Sequence, residues 1–377
     1  MSTVAPAVAA IEPDVADSKV AVATQLQLTW WRFRKHKVAL WSAVIVILFY
    51  VVAILADFLA TTNPHVTDAR RSFIPPQPIH WFDDGAFAPH VFALKGRRDP
   101  RTFKLIYAPD PSEKRYLTLF AEGFDYNLLG FIPINRHLLG VSDGKPEESL
   151  FLLGTDLLGR DVWSRLMLAS RTSLTIGLVG VALSLFLGVL LGGISGLYGG
   201  WVDTVIQRVI EILRSIPTIP LWMGLAAALP STWSVTQVYF AITVIISLIG
   251  WTELARVVRG RFLAMREEDF ITAAELAGAS QFRIIFRHMV PSFLSHIIAA
   301  VSLALPAMII SETTLSFLGL GLRPPAISWG VLLQDAQNLQ ALATAPWLLV
   351  TALPVILVIL AFNFLGDGLR DAADPYG

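Results

Sequence analysis

Cysteine is absent from the 377 residues. That absence excludes disulfide frameworks, thiolate zinc sites and cysteine nucleophiles together. Charge is scarce. Asp, Glu, Lys and Arg make up 15% of the chain, where a soluble protein carries about 25%. The 29 basic and 29 acidic residues cancel, so bulk electrostatics gives no case for a nucleic-acid partner. No phosphate loop occurs, because Gly144-Lys145 is followed by proline. There is no G-x-S-x-G elbow and no H-E-x-x-H. The seven histidines, at 36, 65, 80, 90, 137, 288 and 296, have no helix-face metal spacing. No catalytic residue and no metal ligand is expected.

What is present is apolar. Hydrophobic residues make up 54% of the chain and the mean hydropathy is +0.60, which points to an integral membrane protein. Runs without charge lie at Thr172–Tyr198, Ser215–Val238, Val235–Thr252, Val290–Ser311 and Ala343–Gly366; Val38–Ala60 carries only Asp57. A bilayer-spanning helix needs about 20 apolar residues. The runs predict an all-α polytopic protein with six spans, near 38–59, 173–196, 205–229, 236–257, 291–313 and 345–366. Arg208, Glu211 and Arg214 sit in the first half of the third span, and Pro217 and Pro220 are placed to kink it.

Residues 1–28 have neither a basic n-region nor a compact apolar core and are expected to form a mobile tail rather than a cleaved signal. Trp30 and Trp31, beside Arg32, Arg34, Lys35 and Lys37, suit an amphipathic elbow in the headgroup layer. Residues 1–37 are thus expected to be a cytoplasmic tail and elbow. With the N-terminus inside, 13 Lys and Arg fall in the inner segments 30–37, 199–214, 256–290 and 367–377, and only Arg323 falls in the short outer loops. This bias predicts both termini on the cytoplasmic side and 60–160 outside. That long segment holds 24 of the 58 charged residues and 10 of the 22 prolines. Arg101–Tyr107 alternates apolar and polar residues, Tyr116–Phe120 is β-prone, and Pro109 and Pro111 lie between them. Many aromatics accompany them, more than a disordered linker carries. A small β-containing extracytoplasmic insert domain is expected over 60–160, between the first and second spans. A five-helix core follows over 161–377.

Glu253 and Glu312 are the acids placed in or at the edge of later spans. Arg256, three residues after Glu253, predicts a local helical pair. An ion-coupled secondary transporter would call for inverted repeats and buried ionisable groups, and the spans are nearly free of charge. An intramembrane enzyme would need a catalytic constellation at membrane depth, and none is visible. The segment 259–291 is different. Asp269–Met289 reads as a helix, a break at Gly278 and a second helix that ends at Pro291. Ala273, Ala274, Ala277 and Ala279 permit close approach. Phe282, Ile285, Phe286 and Met289 form an apolar stripe at helical spacing, with Arg283 and Arg287 on an adjoining face. An exposed helix of this kind needs a partner groove.

These residues carry a resemblance. Ala273, Ala274, Gly278 and Pro291 match the E-A-A-x-x-x-G loop of permease subunits of binding-protein-dependent ABC importers, with Thr272 standing at the glutamate position. Leu153-Gly154-Thr155-Asp156, Gly159-Arg160-Asp161 and Ser164-Arg165 resemble the element before the second span of dipeptide/oligopeptide-type permeases. So do Gly199-Gly200-Trp201-Val202-Asp203, the set Glu312, Ser316, Phe317, Gly319, Gly321, Pro324, Pro325, Ser328, Trp329 and Gly330, and the tail Arg370-Asp371 with Asp374-Pro375. The resemblance is to the C-type member of the permease pair, with an enlarged first outer loop.

The resemblance implies six transmembrane helices of the type I importer kind in a bacterial inner membrane. It implies a pore-forming half without enzymatic activity or cofactor, paired with a homologous B-type permease. Two separate ATPase subunits would bind ATP and Mg and dock on the 259–291 loop through Phe282, Ile285, Phe286 and Arg287. An extracytoplasmic solute-binding protein would deliver peptides, or in some relatives oligosaccharides or opines.

Overall fold

The computed structural model describes residues 25–98, 100, 105–141 and 150–373. Residues 1–24 of the tail expected over 1–28, Arg101–Lys104 and Asp374-Pro375 lie outside them, and 25–28 are helical rather than tail. Gln25–Phe33 (α1) overlaps the stretch expected as an elbow, with Trp30 and Trp31 exposed and Phe33 buried against Ala39 and Ala372. Lys37–Ile54 (α2) is the first span and ends in a short turn, Ala56–Leu59 (α3). Val162–Tyr198 (α4), Val235–Met265 (α7), the stretch from Ile297 in Leu294–Phe317 (α9), and Pro346–Ala372, most of it within the helix Ala352–Ala373 (α11), are also long and apolar enough to cross a membrane.

The third expected span is not one straight helix. Gly200–Ser215 (α5) and Thr218–Ala227 (α6) meet at an 88° bend. Proline disfavours helical geometry in the residue before it. Ile216 is accordingly extended, at φ −89° and ψ 130°, ahead of Pro217. Pro220 lies in the first turn of α6, where no intrahelical N–H is required. The first proline therefore makes the break, and the second is accommodated.

α4 has 37 residues, about 55 Å of helix against a hydrocarbon core of about 30 Å. Its charge-free stretch starts at Thr172, so the turns from Val162 stand out of the bilayer. Arg171 ties this region to the first span, with Nη1 2.7 Å from Asp57 Oδ2 and Nε donating to the Ala53 carbonyl at 2.8 Å. At its other end α4 lies against α7. A Cβ on Gly192 would stand 2.5 Å from the Ala255 carbonyl oxygen, so only glycine permits this approach.

The insert is a four-stranded antiparallel meander in the order β1-β2-β3-β4: His80–Asp83, Ala86–Arg98, Leu105–Leu128 and Ile132–Val141. The two strands expected around Pro109 and Pro111 are one strand, β3. Asp110 pairs with Ala93 and Lys114 with Phe92, which leaves 111–113 in a bulge. A bulge tolerates a proline that cannot join the ladder. His137 fastens β4 to the first span. It is 2% exposed, and its Nδ1 lies 2.9 Å from the Asp57 carbonyl oxygen and its Nε2 3.1 Å from that of Phe124. Gly123 leaves the room its ring needs, since a Cβ there would meet His137 Cδ2 at 2.4 Å. The flanks of the sheet belong to the helical core. Gln77 donates to the Phe92 carbonyl and accepts from the Phe151 N–H, and Thr155 Oγ1 bonds to both Arg71 and Ile74.

Candidate functional site

The loop before α4 is built around two glycines in the left-handed region. Gly154 and Gly159 both have φ +72°, and a Cβ on them would stand 2.5 Å from the Ile74 carbonyl oxygen and 2.0 Å from that of Asp68. Thr155 and Asp161 bridge the loop, which brings Asp156 back toward Arg160. Asp156 Oδ1 accepts from the Leu158 and Arg160 N–H groups at 2.9 and 3.0 Å. Its Oδ2 accepts from Arg160 Nε at 2.7 Å and Arg165 Nη1 at 2.5 Å. Arg160 Nη2 and Arg165 Nη1 also reach Asp335 Oδ2, each at 2.9 Å. Asp156 and Arg165 are 2% and 1% exposed. A buried ion pair needs its second partner in place, since an uncompensated interior charge costs several kcal/mol.

Helical spacing over 156–165 would place Asp156–Arg160 and Asp161–Arg165 as i,i+4 pairs on one short helix; the first pair forms, but across a turn, and the second does not. Positive φ at Gly159 prevents that helix. Asp161 instead caps α4, accepting from the Ser164 N–H at 2.8 Å and from Thr61 Oγ1 at 3.2 Å. Burial pushes its carboxyl up to about 6. Asp335, in Trp329–Ala336 (α10), was not among the expected site residues. It is the one acid between Glu312 and Asp367, and that isolation is the signal in the sequence.

The second motif set meets the first. Glu312 is fully buried, and its two oxygens accept from Ser173 and Ser316 hydroxyls, each at 2.9 Å. Ser173 Oγ in turn accepts the Trp329 N–H at 3.1 Å, and Ser316 Oγ the Leu322 N–H at 3.0 Å. α9 ends at half-buried Phe317. Gly319, at φ +76°, closes it with bonds from its N–H to Ser316 and from Leu320 to Leu315. Gly321 lies against Ser316, where a Cβ would come within 2.5 Å of the hydroxyl oxygen. Pro324 and Pro325 follow in exposed loop. Trp329 is fully buried, its ring edge-on to Phe49 of α2 at 6.2 Å. Two elements 150 residues apart thus form one buried polar seam joining α4, α9 and α10.

At the far end of α4, Asp203 accepts two bonds from Arg259, both at 2.5 Å, and one from Ser195 Oγ. Arg214 pairs with Glu253. The partner of Glu253 is therefore on α5, not the expected Arg256 on its own helix.

The 259–291 loop is the exposed counterpart. Asp269–Leu276 (α8) ends at Gly278, φ +76°, where the Gly278 N–H bonds to Glu275 at 2.9 Å and the Ala279 N–H to Ala274 at 3.0 Å. Ser280 caps the return at 3.3 Å. Ile271, Ile284, Ile285 and Met289 are buried with Val189, Val258 and Phe262 of the spans. Leu276 and Phe282 are 85% and 63% exposed, and Phe270 is 44% exposed. Ala273, Arg287 and Pro291 are exposed, and Ala274 and Phe286 half-buried. The expected stripe splits because Ile284–Met289 winds as a π-helix, with the Val290 N–H bonding to Ile285. Ile285 turns inward and Phe282 outward, so Ile285 is an internal anchor and not a docking residue.

Residues 188–376 match the family described as "Binding-protein-dependent transport system inner membrane component", half of the chain. The chain belongs to this family. Residues 24–76 of the permease also match "N-terminal TM domain of oligopeptide transport permease C". The sheet falls between the two matched stretches. The permease is 36% identical over 232 residues to "Oligopeptide transport system permease protein OppC" of Bacillus subtilis strain 168, covering 61% of this chain and 73% of that one. It is 39% identical over 229 residues to the protein of that name in Haemophilus influenzae, covering 60% and 71%. It is 35% identical over 253 residues to "Glutathione transport system permease protein GsiD" of Pectobacterium atrosepticum, covering 67% and 77%. A chain from a solved structure titled "Inward facing conformations of the MetNI methionine ABC transporter" aligns at TM-score 0.42 and 17% identity, covering 53% of this chain and 93% of that one. The permease is thus a multi-pass membrane subunit of an ABC importer.

Proposed function

We propose that the permease forms half of a peptide-translocating pore, with a homologous B-type permease as the other half. Two ATPase subunits bind at the 259–291 loop and carry ATP and Mg. A solute-binding protein delivers peptide on the face that bears the sheet. Both termini and the 259–291 loop lie on the cytoplasmic side. Peptide as substrate follows from the oligopeptide relatives.

One observation carries the coupling. The corner at Gly278 is apolar on two sides: Ile271, Ile284, Ile285 and Met289 lock it to α4, α7 and α9, while Leu276 and Phe282 stay exposed. A force on the outer side therefore reaches three spans as a rigid displacement, because close-packed cores shift between arrangements rather than deform. The buried polar seam at the other end of α4 holds α4, α9 and α10 as one body during that movement. Nucleotide and loaded binding protein then bias a two-state equilibrium of the spans.

The test is co-expression with the partner subunits. Gly278→Asp forces a side chain into the left-handed region, and Phe282→Ala removes an exposed anchor. Each variant should reach the membrane at the parent level and lose co-purification with the ATPase. Normal co-purification of both would remove the loop as the docking element.

A further inference from the structure

The β3–β4 hairpin ends in an apolar turn with no charge. From Tyr126 to Asn135 there is no Asp, Glu, Lys or Arg. Leu129 is 54% exposed, Phe131 72% and Ile132 42%. Leu129 and Gly130 both lie at positive φ, 55° and 84°, so the chain reverses tightly. An uncharged, water-exposed turn of this composition is costly unless something apolar covers it.

The attachments of the sheet locate that turn. β3 begins over the last span, where Ile106 and Tyr107 line a cavity with Asn338, Ala341 and Trp347. Thirteen residues later Phe120 packs at a tilt against Phe58 at the end of the first span, with ring centroids 6.0 Å apart. On β4, His137 lies 2.9 Å from the Asp57 carbonyl oxygen at the same level. The sheet thus runs along the end of the helical bundle, from the last span to the first, rather than standing away from it. From His137 to Phe131 is six residues, about 20 Å of strand. The turn overhangs the bundle beyond the first span.

The first span is the least enclosed of the five continuous spans, with 22% of its apolar window buried. Leu48, Val51 and Ile54 are exposed on it. In a membrane protein such a face meets lipid. Exposed Leu119 and Phe120, with Phe58 between them and the span, continue that face onto the hairpin. The next hairpin adds exposed Trp81, Phe82 and Phe87, and aromatic residues favour the membrane interface.

We propose that the β3–β4 turn is a lipid anchor. Leu129, Phe131 and Ile132 enter the boundary between headgroups and acyl chains on the sheet's side of the bilayer, and Tyr126, Asn127 and Asn135 lie at headgroup depth. The anchor holds the sheet flat on the membrane beside the mouth of the bundle. A bilayer is favoured over a protein partner because the apolar surface continues toward the lipid-facing span through Phe58 and Phe120, and the nearest charges, Asp125 and Arg136, lie where the turn joins the body of the sheet. The inference rests on membrane insertion alone and not on the transported solute.

The chain has no native cysteine, so Phe131→Cys gives a single site for a nitroxide label. The full chain is reconstituted in phospholipid nanodiscs. Collision of the label with oxygen, which concentrates in lipid, is compared with collision with a water-soluble nickel chelate. Ser112→Cys, on the exposed bulge of β3, is the solvent reference. The oxygen-to-nickel ratio at position 131 should exceed that at 112 several-fold. A second label, Leu129→Cys, should behave like the first, and adding Phe131→Asp should return its ratio to the Ser112 level. Free nickel access at both turn positions would overturn the proposal by placing the turn in water. Poor access of both reagents would overturn it by placing protein over the turn.

Discussion

Asp156 and Asp335 share two guanidinium groups but are not equivalent. The Asp156 side chain is 2% exposed and accepts from Arg160 and Arg165 as well as two backbone N–H groups; that of Asp335 is 27% exposed. Removing one partner of a buried ion pair costs about 3–5 kcal/mol. Asp156→Asn should approach that loss, and Asp335→Asn should cost less because water screens it. Thermal melting of the purified chain in detergent checks the order; equal losses would contradict it. Asp161 has its own pH signature. Burial raises its carboxyl from 3.8 to about 6, so the folded state holds the proton more tightly than the unfolded one. Its contribution is full at low pH and is lost as pH rises from about 4 to about 6. Asp161→Asn keeps a helix cap without titrating. The melting temperature of the variant relative to the parent should climb across that window and level off above it. The residue types at these positions were legible as a motif, and Asp156–Arg160 as an i,i+4 pair, but the pairing of Arg165 was not. Spacing suggested i,i+4 partners, while the left-handed glycine at 159 sends Arg165 to Asp156 and leaves Asp161 as a cap.

Elements were legible where length and apolar run decide them. The charge-free stretches marked five spans and the bent pair at Pro217. Their ends moved because α4 and α7 continue as helix beyond the lipid, through residues whose charge had marked a boundary. The inner side of the 259–291 loop was not legible. An α-helical period places Phe282, Ile285 and Phe286 on one stripe, whereas Ile285 turns into the core where the π winding at 284–289 begins and Phe282 and Phe286 stay in ring contact at 4.5 Å. That separation gives opposite outcomes for two truncations. Ile285→Ala opens a cavity in a site that is 2% exposed and should lower stability by about 2–5 kcal/mol. Phe282→Ala, at a site 63% exposed, should leave melting unchanged. Equal destabilisation would mean that Phe282 is also held by the chain's own spans.

At the scale of the whole molecule, the six-segment architecture and the presence of a small sheet could be read from composition, but the sheet's extent could not. The strands occupy 80–141, while 61–77 and 150–161 are bonded into the helical core. Of the prolines that seemed to separate strands, Pro109 pairs with Leu94 and Pro111 sits in a bulge of the same strand. Orientation can be checked by labelling. Ser112→Cys should react with a membrane-impermeant maleimide in intact cells, and Ser280→Cys should react only after lysis. The reverse pattern would place the sheet inside. The central claim is that the exposed side of the Gly278 corner transmits work between the permease and its ATPase partners. The most direct measurement is ATP hydrolysis by the full assembly in nanodiscs, stimulated by peptide-loaded binding protein, with Leu276→Ala and Phe282→Ala in the permease. Loss of an anchor commonly costs about 2 kcal/mol, enough to weaken docking by at least tenfold. Stimulation should therefore collapse while the permease melts at the parent temperature, and undiminished stimulation in the double variant would contradict the account.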